Sequence, residues 1–368
     1  MLENTIRNMR ALLGRRGWNK MANRIECRRQ PEKCSSYPTD YWIEVTNRCN
    51  LMCRMCRRRF ARHEEADMDE SVFGKVQPLL GYALRAELNC WGESLVAPGM
   101  LEKIYDFISP MPVWMQLTTN AMLLTGRWAE KFLGASMELV VSLDGAREET
   151  FESIRSGARF PVVLNNIEKL AALKRAARER YPILSFRFVA MADNVGELPE
   201  VVLLAEELGV SNIYVVYLVA HSEEMRRKSL FYNRGLAREA FHRAREAAGA
   251  AHVNLWLPRL MGSASDERVD AWRRCREPWH VFVVKSNGEV NPCCHTPDLV
   301  MGSLKESSFD EIWNGEAYRR LRRALREGHP PPACLHCHMS FPDVNDESSH
   351  VKIVRTREGL FRGYEFEG

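Results

Sequence analysis

Between residues 41 and 220, short and almost continuously apolar runs alternate with longer segments whose apolar positions recur every three or four residues. The runs are YWIEV (41–45), RAELNC (85–90), VWMQLTT (113–119), MELVVSL (137–143), LSFRFVAM (184–191) and NIYVVYLV (212–219). Apolar runs without alternation are what parallel strands covered on both faces require. Between them, Phe160, Val163, Ile167, Leu170 and Leu173 share one helical face. Leu198, Val201, Val202, Ala205 and Leu208 share another, which stops at Gly209. Six strand-helix units predict an α/β fold, a partial (β/α)6 parallel barrel with ligands at the C-terminal ends of its strands.

Outside this region the pattern changes. Leu2, Ile6, Met9 and Leu13 predict a basic amphipathic helix, and residues 222–250 read as one long charged helix. From Trp256 onward the runs shorten, and HVFVVKSNGEVNPCC predicts a hairpin turned at Asn287-Gly288. The expected organisation is a basic arm (1–38), the barrel (39–255), a small cysteine-rich α+β domain (256–345) and a tail (346–368).

Charge adds one feature. The 368 residues carry a net charge of +4, yet residues 1–36 hold nine basic and three acidic side chains. That arm suits either an anionic contact or a helix packed on the main domain with its charges in water. No apolar run approaches the roughly 18 residues of a membrane span, and no secretory h-region is visible, so the expected compartment is the cytoplasm.

Eleven cysteines, most of them clustered, point to thiolate metal ligation in a reducing compartment. Cys27, Cys34 and Cys90 stand apart and read as packed thiols. Cys49, Cys53 and Cys56 follow the first strand with no nearby fourth cysteine, whereas a closed structural site needs four ligands. Three thiolates hold three corners of a [4Fe-4S] cluster and leave one iron open for a ligand.

Cys-x3-Cys-x2-Cys after the first strand of an α/β domain resembles the radical S-adenosylmethionine superfamily. In that family the open iron is chelated by S-adenosylmethionine, which one electron cleaves to a 5'-deoxyadenosyl radical. Four further segments extend the resemblance. In NCWGES, Gly92 and Glu93 match the segment that holds the methionine amino group, with Trp91 in place of its first glycine. In TTNAMLLT, Asn120 matches and Ala121 takes a glycine position. VSLDG and TFESIR imply Ser142 near the cofactor and Arg155 reaching its carboxylate. Met55 takes the place usually held by an aromatic residue beside the adenine.

The remaining cysteines resemble the SPASM/twitch domain of radical enzymes. Cys275-x12-Gly288-x4-Cys293 matches its opening, and Cys334 and Cys337 its later pair. The shortened twitch form is implied, because no cysteine follows Cys337. Cys275, Cys293, Cys334 and Cys337 would then hold one auxiliary [4Fe-4S] cluster. The Gly288-x4 spacing selects Cys293 over Cys294. Spacing leaves a four-cysteine structural zinc open, and His295, His336 and His338 lie beside the ligands without being assigned to them.

A fully ligated second cluster suits electron transfer. The expected enzyme is therefore an oxidoreductase that abstracts hydrogen from a small molecule, such as a sugar, aminocyclitol or nucleoside, and passes the second electron to the auxiliary cluster. An external flavodoxin or ferredoxin is the implied donor. The stretch ahead of the first strand looks too short for a leader-binding domain, which places a peptide substrate second, alongside redox-neutral epimerisation or decarboxylation. Arg187, Tyr217 and His221 lie near the expected mouth without an assigned role. A zinc and nucleic-acid binding protein would explain the basic arm and the Cys-x2-Cys pairs. It leaves the six units unexplained, so no nucleic acid is expected.

Overall fold

The computed structural model describes residues 2–60, 64–261, 275–296 and 298–335, without the side chains of 2–13 and 335. Its strands are β1 (Asp40–Ile43), β2 (Arg85–Glu87), β3 (Trp114–Thr119), β4 (Met137–Ser142), β5 (Ile183–Ala190), β6 (Asn212–Tyr217), β7 (Asn254–Trp256), β8 (Val281–Val284), β9 (Glu289–Asn291) and β10 (Gly302–Ser303). The helices that matter below are α1 (Leu2–Arg29), α2 (Glu148–Ile154), α3 (Phe160–Ala177), α4 (Leu198–Glu207), α5 (Glu223–Arg227), α6 (Arg234–Ala250), α7 (Glu277–His280), α8 (Phe309–Trp313), α9 (Glu316–Glu327) and α10 (Pro332–Leu335).

Two compact units divide the chain. The first comprises the described residues within Met1–Arg48, Glu65–Met115 and Asp270–Ser340. Its strands run in the order β10-β9-β8-β1-β2. β1 pairs in parallel with β2 (Tyr41↔Ala86) and with β8 (Tyr41↔Phe282), while β8 and β9 form an antiparallel hairpin (Val284↔Val290). Gly288 turns that hairpin at φ +88°, a conformation L side chains rarely adopt. Trp279, Phe282, Trp313 and Tyr318 are fully buried in this unit.

The second unit comprises the described residues within Cys49–Glu64 and Gln116–Val269. It holds most of β3, followed in order by β4, β5, β6 and β7. The pairs from β4 to β7 are parallel, with Ser142↔Arg187 and Ala190↔Tyr217 in register. Leu139, Val141, Phe186, Phe188 and Ile213 form the buried strand faces, covered by Ile167 and Leu170 of α3 and Val201 and Val202 of α4. The strands are mostly parallel and the sheet does not close on itself, an open α/β architecture.

One helical expectation is corrected. Residues 222–250 form α5 and α6, separated by a turn over Lys228–Asn233. Met225 and Leu230 are both buried, and their spacing of five fits no single helical face. The arm is helical but interrupted at Gly14 (φ 63°, ψ 176°). No helix among the described residues is long and apolar enough to cross a membrane.

Candidate functional site

The cysteine loop of the second unit is fixed by its backbone. Met52 N donates to Ser156 O (3.0 Å), Arg54 N to Ile154 O (2.9 Å), and Cys56 N to Cys53 O (3.1 Å) before a short turn over Arg57–Arg59. The loop thus lies along the end of α2. Gly157 follows at φ +95°, and a Cβ there would sit 3.4 Å from the Leu51 side chain.

Three donors are aimed at the sulfurs of this loop. Leu51 N lies 3.4 Å and Asn120 Nδ2 3.9 Å from Cys49 Sγ, and Arg155 Nη1 lies 3.9 Å from Cys53 Sγ. Asn120 is held by its own bonds, Nδ2 to Asn50 Oδ1 (2.9 Å) and Oδ1 from Met122 N (3.0 Å). Ala121 adopts φ +59°, the backbone for which the family pattern places glycine. Cys53 is buried, and Cys49 and Cys56 are half-buried. Burial pushes the Cys53 thiol up to about 11, with Arg155 pulling the other way.

Met55 packs against the apolar cluster of Ile154, Met191, Leu218, Ala220 and Met225. Ser142 ends β4 half-buried, beside Arg187 of β5. Arg155 forms a buried ion pair with Asp144, Nη2 to Oδ2 at 2.6 Å. Burial opposes its charge, but Asp144 and Cys53 more than offset that, so the guanidinium stays above its ordinary range. Asp144 lies in the VSLDG segment, yet nothing in the sequence announces that its partner is Arg155.

Gly92 and Glu93 belong to the first unit. A Cβ on Gly92 would lie 2.2 Å from Thr46 O and 2.6 Å from Arg48 O, so only glycine fits this approach. Glu93 N donates to Arg48 O (2.8 Å), the residue before Cys49 in sequence. The Glu93 carboxylate is buried and accepts from Leu95 N (3.3 Å), capping a one-turn helix. Glu44, 2% exposed, accepts from Trp91 N (3.2 Å) on one oxygen and from Ser286 N and Oγ (both 3.0 Å) on the other. Sequence reasoning missed Glu44. Its signal was an acid at the end of the apolar run YWIEV, since charged side chains are almost never buried unpaired.

The C-terminal cysteines also lie in the first unit. Cys293 is buried with Sγ 3.1 Å from Thr296 Oγ1, and Cys275 is half-buried with its carbonyl accepting from Gln30 Nε2 (3.0 Å). Cys334 is half-buried on α10. Cys337 lies outside the described residues. Burial pushes the thiols of Cys90 and Cys294 well above their usual range, and the charge of Cys293 adds to both. Cys90, read from sequence as standing apart, therefore shares its surroundings with the Cys293-Cys294 pair. Among the described residues no three His, Cys, Asp or Glu side chains converge as ligands of a single metal ion.

The comparisons with known proteins bear on both regions. Residues 275–338 match the SPASM family, described as an iron-sulfur cluster-binding domain. The chain is 24% identical over 319 residues to a tungsten-containing aldehyde ferredoxin oxidoreductase cofactor-modifying protein of Pyrococcus furiosus, covering 80% of this chain and 86% of that one. It is 26% identical over 307 residues to an AdoMet-dependent heme synthase of Methanosarcina barkeri, covering 76% and 83%. Its fold matches the crystal structure of Streptococcus suis SuiB bound to precursor peptide SuiA with a TM-score of 0.60 at 15% identity, over 83% of this chain and 71% of SuiB.

Proposed function

This chain is a radical S-adenosylmethionine protein with a C-terminal SPASM domain, and from that premise we propose that it oxidises a small-molecule substrate by two electrons. Cys49, Cys53 and Cys56 hold the cluster that binds S-adenosylmethionine. Cys275, Cys293, Cys334 and Cys337 hold an auxiliary [4Fe-4S] cluster. When bound, these groups supply a 5'-deoxyadenosyl radical and an electron acceptor.

The observation that carries this reading is the set of N–H donors on the loop sulfurs, from Leu51, Asn120 and Arg155. Hydrogen bonds to ligand sulfur are a principal means by which a protein sets cluster chemistry. Three cysteines on a loop whose backbone is tied at Met52, Arg54 and Cys56 therefore suit a cluster held at three corners.

The chain's own residues do the positioning. Asn120 orients Asn50 and Cys49, and Gly92 lets the 89–93 segment approach the backbone of residues 46–48. Gly92 and Glu93 are assigned the methionine amino group, Arg155 its carboxylate, Ser142 a place near the cofactor, and Met55 the adenine. Met55 sits at the edge of an apolar cluster, which excludes water where the radical would be quenched. The names of two relatives, a cofactor-modifying protein and a heme synthase, support a small molecule, and that of a third, a PqqA peptide cyclase, keeps a peptide as the alternative. A flavodoxin or ferredoxin is proposed as the electron donor.

Iron per chain after anaerobic reconstitution tests the reading, in wild type and in the Cys49→Ala/Cys53→Ala/Cys56→Ala variant. About eight irons falling to about four, with 5'-deoxyadenosine formation lost, is the expected result. About four falling to none, with zinc retained, would make the C-terminal site structural and end the two-electron proposal.

A further inference from the structure

Arg155 ends α2, and its backbone has already left the helical region at φ −100°, ψ 66°. The residues on either side of it are the ones that accept the backbone N–H groups of Arg54 and Met52. Its side chain is 10% exposed and that of Asp144 is fully buried. One arm of the fork, Nη2, lies 2.6 Å from Asp144 Oδ2, and the other, Nη1, lies 3.9 Å from Cys53 Sγ.

Asp144 is itself anchored. Its Oδ1 accepts from Val189 N at 2.7 Å, and its carbonyl accepts from Asn194 Nδ2 at 3.0 Å. Asn194 also donates to Val189 O (2.9 Å) and accepts from Met191 N (2.8 Å). The carboxylate is thus fixed to β5 and the turn after it, and through it the guanidinium is fixed too. A planar fork with one arm held has its other arm aimed.

Arg155 is largely buried and Asp144 wholly so, so the charge next to Cys53 is poorly screened. Reduction of a thiolate-held cluster adds one negative charge. A fixed positive group donating to a ligand sulfur stabilises that reduced form more than the oxidised one.

We propose that Arg155, oriented by Asp144, is a positioning residue that raises the reduction potential of the cluster on Cys49, Cys53 and Cys56 through its hydrogen bond to the Cys53 sulfur. This rests on the reading of Cys53 as a cluster ligand. It adds to Arg155 a role distinct from contact with the cofactor carboxylate. Asp144 and Cys53 each engage one terminal nitrogen of the guanidinium, while the buried Nε has no hydrogen-bond partner within the described residues.

The test is the midpoint potential of the electron paramagnetic resonance signal that responds to added S-adenosylmethionine. It is measured in the reconstituted full chain before that addition, for wild type, Arg155→Gln and Arg155→Lys. We expect Arg155→Gln to lower the midpoint enough to change the reduced-to-oxidised ratio about tenfold at fixed potential, about 59 mV for one electron. Arg155→Lys keeps the charge but not the fork, and a smaller shift in the same direction is expected. If Arg155→Gln loses iron, the Lys variant decides. Unshifted midpoints at full iron content, with only the affinity for S-adenosylmethionine reduced, would overturn the inference and leave Arg155 as a cofactor clamp alone. A wild type that retains no iron on the loop cysteines would overturn the ligand reading, and this inference with it.

Discussion

The loop of Cys49, Cys53 and Cys56 and the C-terminal cysteines differ in what holds their sulfurs. The loop is tied by backbone hydrogen bonds to residues 154 and 156, and polar side chains reach its sulfurs directly. The C-terminal set is carried by an aromatic core. Arg322, itself fully buried, lies 4.2 Å from the Trp313 ring and 4.8 Å from that of Tyr318, and donates to Pro278 O and Trp313 O. Phe282 and Phe309 pack edge-on beside them. The first arrangement aims hydrogen-bond donors at sulfur, whereas the second surrounds a buried guanidinium with rigid aromatic packing.

The sharpest way to break this comparison is to ask which thiols the second region uses. Cys293→Ser should cost about four irons per chain while Cys294→Ser costs none, measured as iron and sulfide on the reconstituted protein. Equal losses from both would show that the Gly288-x4 spacing does not select the ligand.

A smaller effect is expected at Gly92. Adding one methyl group places it 2.2 Å from Thr46 O, where neither backbone can yield without moving the segment. Gly92→Ala should destabilise the chain by about 1–3 kcal/mol, an ordinary cost of overpacking. The affinity for S-adenosylmethionine should also fall in calorimetry, at unchanged iron content. Unchanged thermal stability would mean that this approach is looser than it looks.

The smallest concerns Glu32, which Arg323 and Arg326 of α9 hold down to about 2. An unfolded glutamate titrates near 4.3, roughly. The contribution is therefore present above that value and lost as pH falls toward 2. Glu32→Gln should unfold more readily than wild type at pH 5 to 7 by a small margin, since exposed pairs are screened. The two proteins should converge near pH 2 in circular dichroism.

Much of the strand framework was legible because most of its runs are almost continuously apolar, as burial on both faces requires. The cysteine loop was legible because its three sulfurs lie within eight residues of one another. What stayed hidden depends on distant partners. Tyr41 faces Phe282 across β1 and β8, and no local pattern encodes that register. Asp144 and Glu44 are acids whose worth lies in the groups they meet, Arg155 in one case and Trp91 and Ser286 in the other. The turn between α5 and α6 was hidden by its charge pattern, which suits a surface helix until Leu230 has to be buried.

Glu44 gives its two oxygens to two segments that are distant in sequence, the 89–93 stretch and the turn of the β8-β9 hairpin. A shared acceptor of this kind makes the two segments inherit one another's mutations. Recombining the C-terminal third with that of a relative would strand one oxygen unless the incoming turn also brings a donor in place of Ser286. The chain's freedom to trade modules is thus set less by the family boundary than by a single carboxylate just past the end of β1.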